Sequence, residues 1–134
     1  MFKIFLASTD KVFSKKIKKI VPDTLELSYG NMVYEYDKIN EALAGKANIV
    51  FIDFHDIHFL RDTLPKATVI IASDTYDLKK EYLSARLGAK GFITKDIKPH
   101  SFKKAIEKVN SCQFWMTRSV ATMIFREYGS LIRM

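Results

Sequence analysis
The chain has one cysteine, five glycines and three prolines among 134 residues. Cys112 therefore has no internal disulfide partner, which suits a reducing compartment, and a cytoplasmic location is expected. So few glycines and prolines, beside 48% hydrophobic residues, argue for a folded domain over a disordered chain. No apolar run approaches the roughly 20 residues of a membrane-spanning helix, so no membrane partner is expected. The start, Met1-Phe2-Lys3-Ile4-Phe5-Leu6, turns polar too early for a secretory leader. Zinc-finger spacing, a glycine-rich phosphate loop and internal repeats are all missing. No nucleophile, base and orienting acid can be assembled, so catalysis is not expected.

Acids are outnumbered: 22 lysines and arginines face 15 aspartates and glutamates, a formal net charge of +7. That favours acidic partners in general. The lysine pairs Lys15-Lys16, Lys18-Lys19, Lys79-Lys80 and Lys103-Lys104 fall on predicted helices without interleaved aromatic residues. They read as solvated helix faces and not as a nucleic-acid motif.

Short apolar runs alternate with helical patterns. Strands are predicted over 2–7, 25–29, 49–52, 67–72 and 91–94. Val12, Phe13, Ile17, Ile20 and Val21 recur at helical spacing after Ser8-Thr9-Asp10, which can cap a helix. A short helix over 36–43 stops at Gly45. Ser73-Asp74-Thr75 offers caps for a helix running to Leu87 and Gly88, and Pro99 fits the first turn of another. Phe102, Ala105, Ile106 and Val109 give that helix its apolar stripe. Thr117 can cap a last helix over 118–127, with Val120, Ala121, Ile124 and Phe125 on its apolar face. The alternation implies an α/β fold, a doubly wound five-stranded parallel sheet between two helix layers. Residues 1–111 are expected to form that domain and 112–134 a connector or dimerisation helix.

Three predicted strands end in polar residues. Ile49-Val50-Phe51-Ile52 ends in Asp53, Val69-Ile70-Ile71-Ala72 in Ser73, and Gly91-Phe92-Ile93-Thr94 in Lys95. In one parallel sheet an acid, a hydroxyl and an amine then meet at the carboxyl edge, where ligand sites form. The set suits an anion-handling or phosphoacceptor site. It equally suits a structural Asp53–Lys95 ion pair, with Ser73 serving only as a helix cap. His55, Asp56 and His58 stand close in sequence, but no fourth ligand accompanies them and no metal site is expected.

These residues, with the stretch Ala89-Lys90-Gly91-Phe92-Ile93-Thr94-Lys95-Asp96-Ile97-Lys98-Pro99 and Trp115-Met116-Thr117-Arg118, resemble the receiver domain of two-component response regulators. The likeness is to the subclass that precedes a LuxR/NarL-type helix-turn-helix. It implies the receiver (flavodoxin-like) topology, Asp53 at the phosphoacceptor position, Ser73 at the switch hydroxyl and Lys95 at the phosphate-contacting lysine. Phe92 stands at the aromatic switch position. It also implies a sensor kinase as partner, a DNA-binding domain outside this chain, and a homodimer. Tyr82, Leu83, Arg86 and Phe92 are its candidate surface, with the last helix as another.

Two departures from the pattern stand out. The acidic pair that helps hold Mg²⁺ after the first strand is replaced by Ser8 and Thr9; Asp10 lies one place further and reads as a helix cap. With Asp53 nearly alone, at most a weak Mg²⁺ site is expected and no other cofactor. The segment between Asp53 and Ser73 is also short, so the third helix is expected to shrink to a turn or two. The resulting expectation is an atypical receiver module of a transcription regulator, acting through dimerisation or domain contact without phosphorylation. The alternatives are a phosphorylatable receiver using Asp53, or a stand-alone interaction module.

Overall fold
In the computed structural model, which describes residues 2–31, 34–61 and 65–133 and the last helix's side chains through Glu127, the apolar runs form five strands. They are β1 (Lys3–Ala7), β2 (Glu26–Gly30), β3 (Ile49–Asp53), β4 (Thr68–Ser73) and β5 (Gly91–Thr94). All pairings are parallel, in the order β2-β1-β3-β4-β5. This is the expected doubly wound sheet. Its inner strands are apolar on both faces because both faces are covered; every residue of β3 is buried.

Alternation along the strands divides the core in two. Ile4, Leu6, Ile49, Phe51, Ile70 and Ile93 face α1 (Lys11–Ile20) and α4 (Pro99–Asn110). Phe5, Val50, Ile52, Val69, Ile71 and Phe92 face the other layer. That layer holds α2 (Tyr36–Glu41), which continues into a π-helical turn (Ala42–Lys46), a 3-10 helix (Phe54–Leu60) and α3 (Leu78–Arg86). Gly45 closes the π turn at φ 116°, a conformation that only glycine adopts cheaply. The 3-10 helix is the shortened third helix. Side chains three apart eclipse in such a helix, and Ile57 and Leu60 accordingly make its buried row. Positions 62–64 of the expected connecting segment lie outside the described residues.

After α4 the chain turns back along the sheet edge. Trp115 pairs with Gly91, its N–H donating to the Lys90 carbonyl at 2.9 Å and its carbonyl accepting from Phe92 at 3.0 Å. The last helix, α5 (Arg118–Arg133), then packs on α3.

Several expectations need correction. The helix after β4 starts at Leu78, capped by Asp77, whose side chain accepts from the Lys79 and Lys80 N–H groups. Ser73 is therefore not its cap: an N-cap must immediately precede the first turn. Val12 does not join the stripe of α1 but is 81% exposed. Among the described side chains of α5, through Glu127, Val120 is buried, Ile124 is partly covered, and Ala121 and Phe125 face outward. Cys112 is exposed and has a positive φ of 61°.

Candidate functional site
β3 and β1 end level, so Ser8 follows Ala7 into position beside Asp53. The Ser8 hydroxyl donates to Asp53 Oδ2 at 2.7 Å. One place beyond β5, Lys95 reaches back over the same strand ends. Its backbone is held from both sides: its N–H donates to the Ser73 carbonyl at 2.8 Å, and Lys16 Nζ on α1 donates to its carbonyl at 2.8 Å.

The Lys95 ammonium sits among three carboxylates. Nζ lies 3.1 Å from Asp10 Oδ2, 3.2 Å from Asp53 Oδ1 and 3.6 Å from Asp74 Oδ1. The Asp10 contact is a hydrogen bond; the Asp53 contact is an ion pair, and Asp53 Oδ1 accepts no hydrogen bond from the described residues. Asp53 is 1% exposed and Asp74 83%, so the three interactions are unequal. Asp53 and Lys95 are shielded from water and Asp10 partly so, whereas Asp74 is screened.

Asp10 does two things at once. Its Oδ1 accepts the Phe13 N–H at 3.0 Å and caps α1, while Oδ2 takes Lys95. The cap, then the Lys95 ammonium, hold its pKa below the ordinary carboxylate value against a smaller opposing effect of burial. Burial alone would lower Lys95, but the bond to Asp10 and the charge of Asp53 outweigh it and raise its pKa above the ordinary lysine value. The expectation that Asp10 lies past the site is thus corrected. The acid displaced from positions 8 and 9 reappears at position 10, because the helix cap turns its side chain back toward β5. Thr9 itself is exposed.

Ser73 is buried at the end of β4, and its hydroxyl donates to the Thr75 carbonyl at 2.8 Å, not toward Asp53. Asp53 and Lys95 are brought together as expected; Ser73 joins them only through its carbonyl. Phe92 is 6% exposed, edge-on to Tyr76 with ring centroids 6.2 Å apart. It therefore does not belong to an exposed dimer surface. Tyr82 is half-buried and its hydroxyl donates to Glu127 on α5; Arg86 lies 3.8 Å from the same carboxylate. Of the four candidate surface residues, Leu83 and Arg86 are exposed.

Mg²⁺ takes near-octahedral oxygen ligation. Here Lys95 and Ser8 occupy the two oxygens of Asp53, and Lys95 occupies the outer oxygen of Asp10. The ammonium stands where the carboxylates converge, and this arrangement does not fit the ion. Asp53, His55 and Asp56 also offer three ligand atoms within 4.8 Å of one another. His58 is not among them; it is exposed, with its ring against Phe59. Three donors, one of them already paired twice, fall short of a closed tetrahedral set.

A second buried acid was not read from the sequence. Glu81 on α3 is 2% exposed. It accepts from the Tyr76 hydroxyl at 2.9 Å, the Thr117 N–H at 2.8 Å and the Thr117 hydroxyl at 2.7 Å. It ties the loop after Ser73 to the start of α5.

The sequence matches no family model and no curated protein. Solved structures do match. A two-component response regulator of the LuxR family from Aurantimonas sp. SI85-9A1 superposes with a TM-score of 0.69 at 17% identity, over 94% of this chain and 96% of its own. A LuxR family DNA-binding response regulator from Silicibacter pomeroyi gives 0.71 at 16%, over 89% and 99%. The signal receiver domain of the putative response regulator NarL from Mycobacterium tuberculosis gives 0.66 at 13%, over 82% and 96%. Strand order, the covered parallel sheet and these superpositions agree: the chain has the fold of response-regulator receiver domains.

Proposed function
We propose that this chain is an atypical receiver module of a transcription regulator, regulatory and not catalytic, which works without phosphorylation of Asp53. The observation that carries this is the position of the Lys95 ammonium, 3.1 Å from Asp10 and 3.2 Å from Asp53. A positive charge from the chain itself neutralises the acids, and Ser8 covers the second oxygen of Asp53. Phosphoryl transfer needs the charge on the moving oxygens neutralised and the attacking oxygen free and in line. In this arrangement Ser8 and Lys95 flank the two oxygens of Asp53, so a phosphodonor would have to displace one of them.

Output then runs through contacts. α5 covers much of α3, and beside it Ala85, Phe114, Met116, Ala121, Ile124 and Phe125 line an apolar groove of about 260 Å³. Self-association through this side, or contact with a helix-turn-helix domain outside this chain, is the regulatory event in this reading. A LuxR family DNA-binding response regulator is among the similar structures, which supports the DNA-binding partner.

A second reading, a phosphorylatable receiver served by a sensor kinase, is favoured by Asp10: a second carboxylate does reach the site. Incubation with acetyl phosphate and Mg²⁺, followed by intact-mass measurement, separates the two. The first reading expects no stable adduct. Stoichiometric labelling that disappears in Asp53→Asn establishes the second.

A further inference from the structure
The largest concentration of positive charge in this chain lies in one layer. α1 carries Lys11, Lys15, Lys16, Lys18 and Lys19 and no acid. α4 carries Lys103, Lys104 and Lys108 against Glu107. Eight lysines against one glutamate make +7, the formal net charge of all 134 residues, so the rest of the chain is balanced. The apolar positions of both helices, Phe13, Ile17, Phe102, Ala105, Ile106 and Val109, are buried on the same sheet face. Both polar faces consequently point outward on one side of the molecule. All eight lysines except Lys16 are exposed. Where α1 meets the first turn of α4, Lys15, Lys16 and Lys19 line an open cleft of about 400 Å³ with Val12, Ile20 and Pro99, and no acid lines it.

We propose that this face binds the phosphate backbone of duplex DNA without reading its sequence. Neither helix contains arginine, and their aromatic residues, Phe13 and Phe102, are buried. Bidentate base recognition and base stacking are therefore unsupported, and what remains is a set of point charges suited to phosphate. A lipid surface needs an apolar helix face to insert; here that face lies on the sheet, and Val12 is the large apolar residue left exposed. A protein partner needs anchor residues at the centre of its interface; apart from Val12 and Pro99, the exposed side chains of these two helices are polar. At about 1.5 Å per residue the helices measure about 15 and 18 Å. Over that length one DNA strand, with a phosphate about every 3.4 Å, presents four or five of them. The proposal is independent of the state of Asp53.

The test is fluorescence anisotropy of a labelled random-sequence duplex of about 20 base pairs with the full chain, between about 50 and about 200 mM KCl. Binding is expected to weaken with salt at a log–log slope of about −4 to −6. Lys15→Gln with Lys19→Gln is expected to weaken binding about tenfold and to reduce the slope by about two. Lys66→Gln with Lys79→Gln removes the same charge from exposed positions outside the two helices and is expected to leave both unchanged. Circular dichroism melts confirm that both variants fold. No binding at the lowest salt, equal losses in both variants, or binding to anionic phospholipid vesicles without binding to DNA would each overturn the proposal.

Discussion

Without its ammonium, Lys95 would leave Asp53, 1% exposed, with the Ser8 hydroxyl as its remaining polar contact. Breaking one side of a buried pair is costly because the other charge stays behind. Lys95→Met is expected to lower unfolding stability by about 3–5 kcal/mol in urea titrations. Adding Asp53→Asn in the same chain is expected to restore a large part of that loss, since the stranded charge is gone; a double variant no better than the single one would contradict this account. The same group sets the pH response. Asp10 has a lowered pKa in the folded chain, so its contribution is present above the ordinary value of 3.8 and is lost as pH falls through the folded value. Lys95 has a raised pKa, so its contribution is present below the ordinary 10.5 and is lost as pH rises through the folded value. Asp10→Asn is therefore expected to be less stable than the parent at neutral pH and to converge with it as pH falls through the lowered folded value of Asp10, in denaturant titrations across pH. Asp53 and Lys95 were readable from the sequence because each ends or follows an apolar run, and parallel strands finish at one edge. Asp10 was only half readable. Capping was visible in its position before Lys11, but its second partner lies 85 residues away in the chain, and no local pattern encodes that.

The helical elements were less evenly encoded than the strands. The five-stranded doubly wound sheet followed from apolar runs and their spacing, whereas the receiver topology and the shortened connection after β3 came from the resemblance to receiver domains. α3 did not follow from apolar spacing, because its buried positions are Glu81 and Ser84 while Leu78 and Leu83 are exposed. A hydrophobicity pattern assigns that helix the wrong inner face. The reason is α5, which packs on α3 and supplies Thr117 as partner for the buried carboxylate. In Glu81→Gln one of the two accepting oxygens becomes an N–H₂, so either the Thr117 N–H or the Tyr76 and Thr117 hydroxyls lose their charged acceptor. Each such loss is worth about 1–3 kcal/mol. Amide exchange at the start of α5 is expected to speed up by about tenfold or more, while the amides of β3 keep their protection; unchanged exchange at 117–120 would show that the contact does not hold α5. In the sheet, a Cβ at Gly30 would lie 2.3 Å from Phe5 Cζ. Gly30→Ala is expected to cost about 1–3 kcal/mol in thermal or urea unfolding, through displacement of that ring.

For the molecule as a whole, the two helix layers present different surfaces. The layer of α1 and α4 holds the largest concentration of positive charge and has its apolar residues turned inward. The layer of α3 and α5 is also basic, with six lysines and arginines against two glutamates, and leaves Leu83, Phe114 and Phe125 in contact with water. Exposed apolar residues gathered on one side favour association there. Sedimentation velocity is expected to show a concentration-dependent dimer, and Phe125→Glu is expected to shift it toward monomer without lowering the melting temperature. A monomer at every concentration would reject self-association for this chain. The lysines of α1 and α4 are separated by some 80 positions and only the fold places them side by side, which is why their pattern read as scattered solvated faces in the linear sequence.

The cation at the strand ends is a side chain, and its stoichiometry is fixed at translation. Dialysis against a chelator has nothing to withdraw from such a site, so the melting curve with EDTA is expected to overlay the curve with added magnesium chloride at matched ionic strength.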